Sequence, residues 1–271
     1  MPVDSRSGTR IWRRRTSRAQ LGLWFGWLLL VALFVFCWRV MTEDTLWPFV
    51  LDAPRQAGDV LSRAVPPKWS YIDVLWRPLW DTLNIATLGT LLAIVAAVPV
   101  GFLAARNTTP STRFVRPLAL LVIVSSRSIN ALIWALLLVA ILGPGLLAGI
   151  IAIALRSIGF IAKLLYEAIE EIDAKQVEAI TATGAPASTV VAYGIVPQIM
   201  PAFAGISVFR WDINIRESTI LGLVGAGGIG LQLDASLNTL AWPQVSLILL
   251  LIFATVVLSE WVSARVRHAI I

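Results

Sequence analysis

The chain has 271 residues, 58% of them hydrophobic and 14% charged, with a mean hydropathy of +0.80. That composition excludes a soluble domain and makes this an integral membrane protein. One cysteine and one histidine exclude an internal disulfide and leave almost no room for a cysteine-rich metal site or a histidine-based catalytic triad, so neither catalytic residue, metal nor cofactor is expected.

A basic tail, residues 1–18, opens the chain with Arg6, Arg10, Arg13, Arg14, Arg15 and Arg18, and an apolar run over 21–38 follows. No small-residue cleavage site comes after Trp38, so the run reads as a retained membrane span rather than a signal peptide. Cys37 follows Phe34-Val35-Phe36, too bulky for lipoprotein processing, and reads as a buried small hydrophobe. A membrane-crossing helix needs roughly 20 apolar residues. Five further runs meet that need, at 82–105, 118–142, 146–165, 202–223 and 245–262, and the expectation is an all-α protein of about six spans.

Lys and Arg in short connections mark the cytoplasmic side. With six spans, the tail, the loop carrying Arg106, Arg113 and Arg116, and the end carrying Arg265 and Arg267 fall on one side. The opposite side has five basic residues in its first loop, diluted by six acids, and none in its other two connections. Both termini are therefore expected in the cytoplasm. The pI of about 10.2 then reflects topology and anionic lipid rather than nucleic acid.

In the first outer loop, 40–81, Trp69, Ile72, Trp76 and Leu79 share one helical face, which predicts an interfacial helix along the outer leaflet, an ordinary aromatic belt being the alternative. Further along, Arg127, Arg156 and Arg210 each fall near the middle of a predicted span, where a lone arginine costs at least ~2.5–3.5 kcal/mol. Asp212 and Arg216 lie four apart and can pair, and Glu217 sits seven after Arg210 on a similar face. Four arginines against two acids leave two surplus positive charges. A cationic surplus in a membrane conduit favours an anion, since guanidinium offers two-pronged hydrogen bonds to an oxyanion. Arg127 and Asn130, three apart, are the first candidates to line the path. The alternative is that the arginines lock the bundle by pairing with helix-end carbonyls and neighbouring acids.

The connection over 166–200 is too patterned to be a simple link. Asp173 with Gln176 reads as a helix N-cap with its reciprocal partner, Gly184 suits the position beyond a helix C-terminus, Pro186 stops continuation and Ser188 can cap a second short helix. Two brief helices around a glycine turn, on the cytoplasmic side, read as a docking surface for a soluble partner. After the fifth span, Gly225-Ala226-Gly227-Gly228-Ile229-Gly230 fits the dinucleotide fingerprint G-x-G-x-x-G, but a membrane span precedes it and no acid stands near the required place. No phosphate-binding Gly-Lys-Ser/Thr loop exists. The glycines read instead as a tightly packed or re-entrant turn at the outer end of the fifth span, a flexible external loop being the alternative.

Glu178-Ala179, Gly184 and Pro197 match the E-A-A-x-x-x-G-x9-I-x-L-P loop, and here the chain resembles the membrane subunits of bacterial ABC importers. Ile180 replaces the second alanine, Gly194 the isoleucine and Val196 the leucine. Over about residue 82 to the C-terminus, Arg127-Ser128-Ile129-Asn130, Arg156-Ser157-Ile158-Gly159, and Asn214-Ile215-Arg216-Glu217-Ser218-Thr219 running into the glycine turn are similar to phosphonate importer permeases, with phosphite permeases sharing much of the pattern.

The resemblance implies a type I importer permease in the bacterial inner membrane. It would act by alternating access, with two copies of an ATPase subunit seated on a coupling loop that includes Asp173, Glu178, Ala179, Gly184 and Pro197. It also implies an extracytoplasmic phosphonate-binding protein, a second permease copy in a homodimer, and a substrate path through Arg127, Asn130, Arg156, Arg210, Asp212, Asn214, Arg216 and Glu217. Phosphite or phosphate is the alternative cargo. A stand-alone anion channel or ion-driven carrier would also place charge at mid-membrane, but has no use for the spaced loop. A membrane enzyme acting on lipid phosphates would need a nucleophile, acid or metal cluster that a lone His268 does not supply.

Overall fold

The computed structural model describes residues 3–4, 11–12, 17–43 and 45–270. Most of the basic tail therefore lies outside the described residues. Packing divides the chain into two units, Met1–Asp59 and Val60–Ile271. The first contains a two-residue antiparallel pairing of Val3–Asp4 with Ile11–Trp12, the helix α1 (Ser17–Glu43), and most of α2 (Trp47–Ala64). α1 is apolar on every side and long enough to cross a membrane; Cys37, expected to be buried, is exposed on it. α2 is amphipathic, with Asp52, Arg55, Gln56 and Asp59 along one face.

The second unit contains α3 (Ile72–Ala104), α4 (Val115–Ser128), α5 (Ala131–Leu142), α6 (Leu146–Glu170), α7 (Ala174–Thr181), α8 (Ala187–Val190), α9 (Val196–Leu221), α10 (Ile229–Asn238) and α11 (Trp242–Ile270). Over the whole chain, five described helices are long and apolar enough to span a membrane, or six if the bent α4–α5 pair is one span.

α3 and α6 form the centre. Gly89, Ala93, Ala97 and Gly101, all buried on α3, recur every four residues and make one smooth stripe. A Cβ on Gly89 would stand 2.7 Å from Ile153 Cγ2 and one on Gly101 2.9 Å from Leu165 Cδ2, so the two backbones approach to a distance that only glycine allows. In lipid, where no hydrophobic force drives helices together, such small-residue contact supplies the packing. α9 closes the layer, and α11 packs on α9.

Three expectations change. The third span is not one helix, because α4 and α5 meet at 88° across Ile129 and Asn130. Both residues are extended, and Asn130 Oδ1 accepts from Leu132 N at 3.1 Å, an N-cap inside an apolar run. Arg127 therefore stands at a break rather than mid-helix. Second, Trp69 does not lie on an interfacial helix with Leu79. A short turn, Trp69–Tyr71, leads straight into α3, whose 33 residues extend about 50 Å at ~1.5 Å per residue and overrun the roughly 30 Å hydrocarbon core. Third, the fifth span starts well before residue 202, since helical structure runs unbroken from Ala187 to Val224.

The glycine run after α9 is a packed turn. Gly225, Gly227 and Gly228 have φ near +80°, Gly145 N donates to Gly225 O at 3.0 Å, and Thr82 Oγ1 accepts from Ile229 N at 2.8 Å. A Cβ on Gly222 would stand 2.6 Å from Gly230 Cα. Gly222→Val should therefore lower stability by about 1–3 kcal/mol, from overpacking against backbone that has nowhere to move. Gly205→Ala, whose Cβ meets nothing within 4 Å, should be neutral or stabilising by up to ~1 kcal/mol. Thermal unfolding of the purified subunit in detergent checks both signs.

Candidate functional site

Two groups of residues in the second unit carry the chemistry, a polar cluster among α3, α6 and α9 and an exposed loop between α6 and α9.

The cluster is built around Arg210, which is only 2% exposed. Its Nε donates to Ser157 Oγ at 2.9 Å and its Nη2 to Glu217 Oε2 at 3.1 Å, and its guanidinium lies 5.1 Å from the centroid of the Phe160 ring. Asn214, one helical turn along α9 from Arg210, donates to Thr90 Oγ1 on α3 at 2.8 Å and to Ser157 Oγ at 3.0 Å. Thr90 Oγ1 in turn donates to Ala86 O at 2.6 Å. Three helices are thus joined by polar contacts that would each be costly to break in an apolar surrounding.

Arg156 meets the same carboxylate from the other side. Its Nε donates to Glu217 Oε1 at 3.1 Å, so Glu217 gives one oxygen to each arginine. Arg156 and Glu217 keep 29% and 20% of their side-chain surface exposed. Asp212 pairs with Arg216 four residues on, and accepts from Ser259 Oγ of α11 at 2.6 Å. Arg127 is exposed, and its side chain makes no hydrogen bond or ion pair among the described residues. Asn130, also exposed, spends its carbonyl on capping α5.

Charge balance can now be read locally. Arg216 is offset by Asp212 and Arg210 by Glu217, so the two surplus positive charges reside on Arg127 and Arg156. The fold brings their chain segments together. Ser126 donates to Leu155 O and accepts from Gly159 N at 2.9 Å, and a Cβ on Gly159 would stand 2.6 Å from Ile123 O. The segments that carry the two Arg-Ser-Ile tripeptides, 127–129 and 156–158, therefore abut next to the α4–α5 break.

The loop between α6 and α9 is narrower than 166–200, because α6 runs to Glu170. Asp173 caps α7, its Oδ1 accepting from Lys175 N at 3.0 Å. The reciprocal partner is Gln198 rather than Gln176: Gln198 Oε1 accepts from Asp173 N at 3.0 Å while its Nε2 donates to Gly194 O at 2.6 Å. Gly184 has φ +76° and follows the α7 C-terminus. Pro186, rather than Ser188, is the N-cap of α8. Between α8 and α9 the helix widens to a π-type turn over Val191–Ile195, with Val196 N bonded to Val191 O. Pro197 lacks the N–H that a regular turn there would use, which accounts for the widening. Glu178, Ala179, Gly184 and Pro197 are all exposed.

The two departures from the loop pattern at 180 and 194 compensate each other. A Cβ on Gly194 would lie 3.4 Å from Ile180 Cδ1 and 3.5 Å from Val177 Cα, so the larger residue at 180 fills the room left by the smaller one at 194. Sequence reasoning missed Gln198, Ser157, Thr90, Phe160 and Ser259. A polar residue inside an apolar run was the available signal for the four polar ones, and Phe160 gave none.

Residues 97–268 match the family described as binding-protein-dependent transport system inner membrane component. The chain is 38% identical over 92% of its length to the phosphite transport system permease protein PtxC of Stutzerimonas stutzeri, covering 87% of that protein. It is 36% identical over 89% of its length to the phosphate-import permease protein PhnE of Mycolicibacterium smegmatis, covering 44% of that protein. An inward-facing MetNI methionine ABC transporter chain shares the fold at TM-score 0.66 and 22% identity, over 75% of this chain and 99% of that one. This chain belongs to the binding-protein-dependent transport system inner membrane component family. It is a multi-pass inner-membrane permease subunit of the type I importer fold, and not itself an enzyme.

The paired departures predict non-additivity. Gly194→Ile alone should overpack the loop and cost about 1–3 kcal/mol, whereas Ile180→Ala in the same chain should restore most of it, a coupling of roughly 0.5–3 kcal/mol. A double-mutant cycle on thermal unfolding measures this directly; strict additivity would mean that the two side chains do not meet.

Proposed function

We propose that this chain is the permease of an ATP-driven importer for a phosphorus oxyanion, a phosphonate first. The observation that carries the reading is the pairing pattern: every other charge of the cluster has a partner, while Arg127 goes unpaired and Arg156 shares a carboxylate already matched to Arg210. Two surplus guanidiniums on abutting segments suit a tetrahedral dianion. The names of the relatives support the same class, and the 38% identity to a phosphite permease favours phosphite as the second reading. On this proposal Arg127, Asn130 and Arg156 contact the cargo. Arg210, Asn214, Asp212 and Arg216 hold the walls.

Two copies of the chain flank one path, with both termini and the basic tail of residues 1–18 in the cytoplasm. Each copy seats one ATPase subunit on the exposed face of α7, through Glu178 and Ala179, with Gly184 and Pro197 shaping the turn. A binding protein delivers cargo to the outer face. ATP-driven closure of the two ATPases moves α7, and the movement passes along the helix that begins at Ala187 to Arg210 and Glu217.

Proteoliposomes holding the permease, its ATPase and its binding protein should take up radiolabelled 2-aminoethylphosphonate or phosphite only with ATP. Arg127→Ala and Arg156→Ala should each lower uptake about tenfold or more, the value of a lost charged hydrogen bond, while ATPase activity and assembly persist. Glu178→Arg, or Gly184→Pro, which cannot adopt φ +76°, should leave the subunit in the membrane and release the ATPase. Full uptake in both arginine variants would remove the anion path. ATP-independent flux through the chain alone would favour a channel or carrier.

A further inference from the structure

Glu217 does two different things for its two arginines. Arg210 is fixed from several sides, by Ser157, by the Phe160 ring and by Glu217, and it is almost wholly enclosed. Arg156 is held by Glu217 through Nε alone, and no described residue bonds its two terminal nitrogens. If Arg156 let go, Glu217 would still be neutralised by Arg210. If Arg210 let go, a buried charge would be stranded. The carboxylate therefore has one permanent partner and one exchangeable partner.

We propose that Glu217 is an internal counter-anion of the conduit: it occupies Arg156 when no cargo is bound and yields that guanidinium to the cargo's oxyanion, while its bond to Arg210 persists. This rests on the oxyanion-importer reading above. An empty path with a bare arginine at mid-membrane is expensive, and Glu217 offsets that cost. An incoming oxyanion can replace the single Nε contact with two parallel bonds to Arg156, and Arg127 supplies a second cation. When the cargo leaves, Glu217 takes Arg156 back. Competition of this kind weakens binding on purpose, which a conduit needs, because a site that binds too well does not release. It also makes Glu217 a determinant of selectivity, since a singly charged carboxylate cargo gains little over the one already present, whereas a more highly charged phosphorus oxyanion gains more.

The test is equilibrium binding of radiolabelled phosphite and 2-aminoethylphosphonate to the intact permease–ATPase complex in nanodiscs, without binding protein. Glu217→Gln, which keeps an acceptor for Arg210 but removes the charge, should bind roughly tenfold tighter, the weight of one charge-assisted hydrogen bond. The gain should vanish in the Glu217→Gln/Arg156→Ala double variant. Should the glutamine variant fail to assemble, Glu217→Asp retains the charge beside the fixed Arg210 but is too short to reach Arg156 as well, and the same tightening is expected. Unchanged or weaker binding in the assembled variant, with Arg156→Ala still weakening binding about tenfold or more, would overturn the counter-anion role and leave the importer reading intact. No binding of either oxyanion by wild type or variants, in a complex that hydrolyses ATP, would overturn both.

Discussion

The ion pair between Arg210 and Glu217 is the contact on which the rest of this molecule depends. A charge enclosed in an apolar bundle is costly unless it is matched, and this pair within α9 matches one, while Ser157 and Arg156 of α6 bond to its two members and so hold α9 against α6. Ser157 and Asn214 extend the same set of polar contacts to Thr90 on α3. Once those three helices are set, the small-residue stripe of α3 can lie against α6, and Arg156 is left sharing a carboxylate that also pairs with Arg210.

The loop on the other side of the bundle is joined to that cluster by a continuous stretch of helix. α7 is tied to the beginning of α9 by Gln198, which satisfies the Asp173 amide and the Gly194 carbonyl together. α6 is tied at its C-terminal end to the turn before α4, where Glu170 accepts from Arg106 N at 2.9 Å and pairs with Arg116 at 3.4 Å. α7 is thus bonded to the start of the helix that bears Arg210 and Glu217, and the helix that bears Arg156 is bonded to the turn before α4. The wide turn ahead of Pro197 lies between α8 and the cluster's helix α9, and it replaces the regular helical register there with a looser one.

Much of the site was legible because membrane proteins advertise their polar residues. An arginine in an apolar run must have a reason, and the pairs Asp212–Arg216 and Arg210–Glu217 both obey helical spacing, so periodicity alone finds them. What periodicity does not give is the partner on another helix. The link from Arg156 to Glu217 spans 61 residues, and that from Asn214 to Thr90 spans 124. The break at Ile129–Asn130 was hidden for a different reason: hydropathy averages over both halves, while a single asparagine side chain bonding its own helix start decides that two helices form. In the loop, spacing marks Asp173 as a cap but points to the nearer Gln176 as its partner, whereas the partner is Gln198, whose position depends on the turn between α8 and α9.

From the sequence by itself came the membrane class, the orientation expected from the basic loops, the patterned cytoplasmic loop and the cationic surplus, because each is a property of composition or of short-range spacing that hydrocarbon enforces locally. Only the tertiary structure decided which positive charges were surplus. Four arginines and two acids can be matched in several ways, and the choice follows from which side chains the small-residue contacts of α3, α6 and α4 bring within hydrogen-bond reach. Burial then separates the roles: Arg210 is enclosed and committed, Arg127 is open, and Arg156 lies between them on a carboxylate that has another partner.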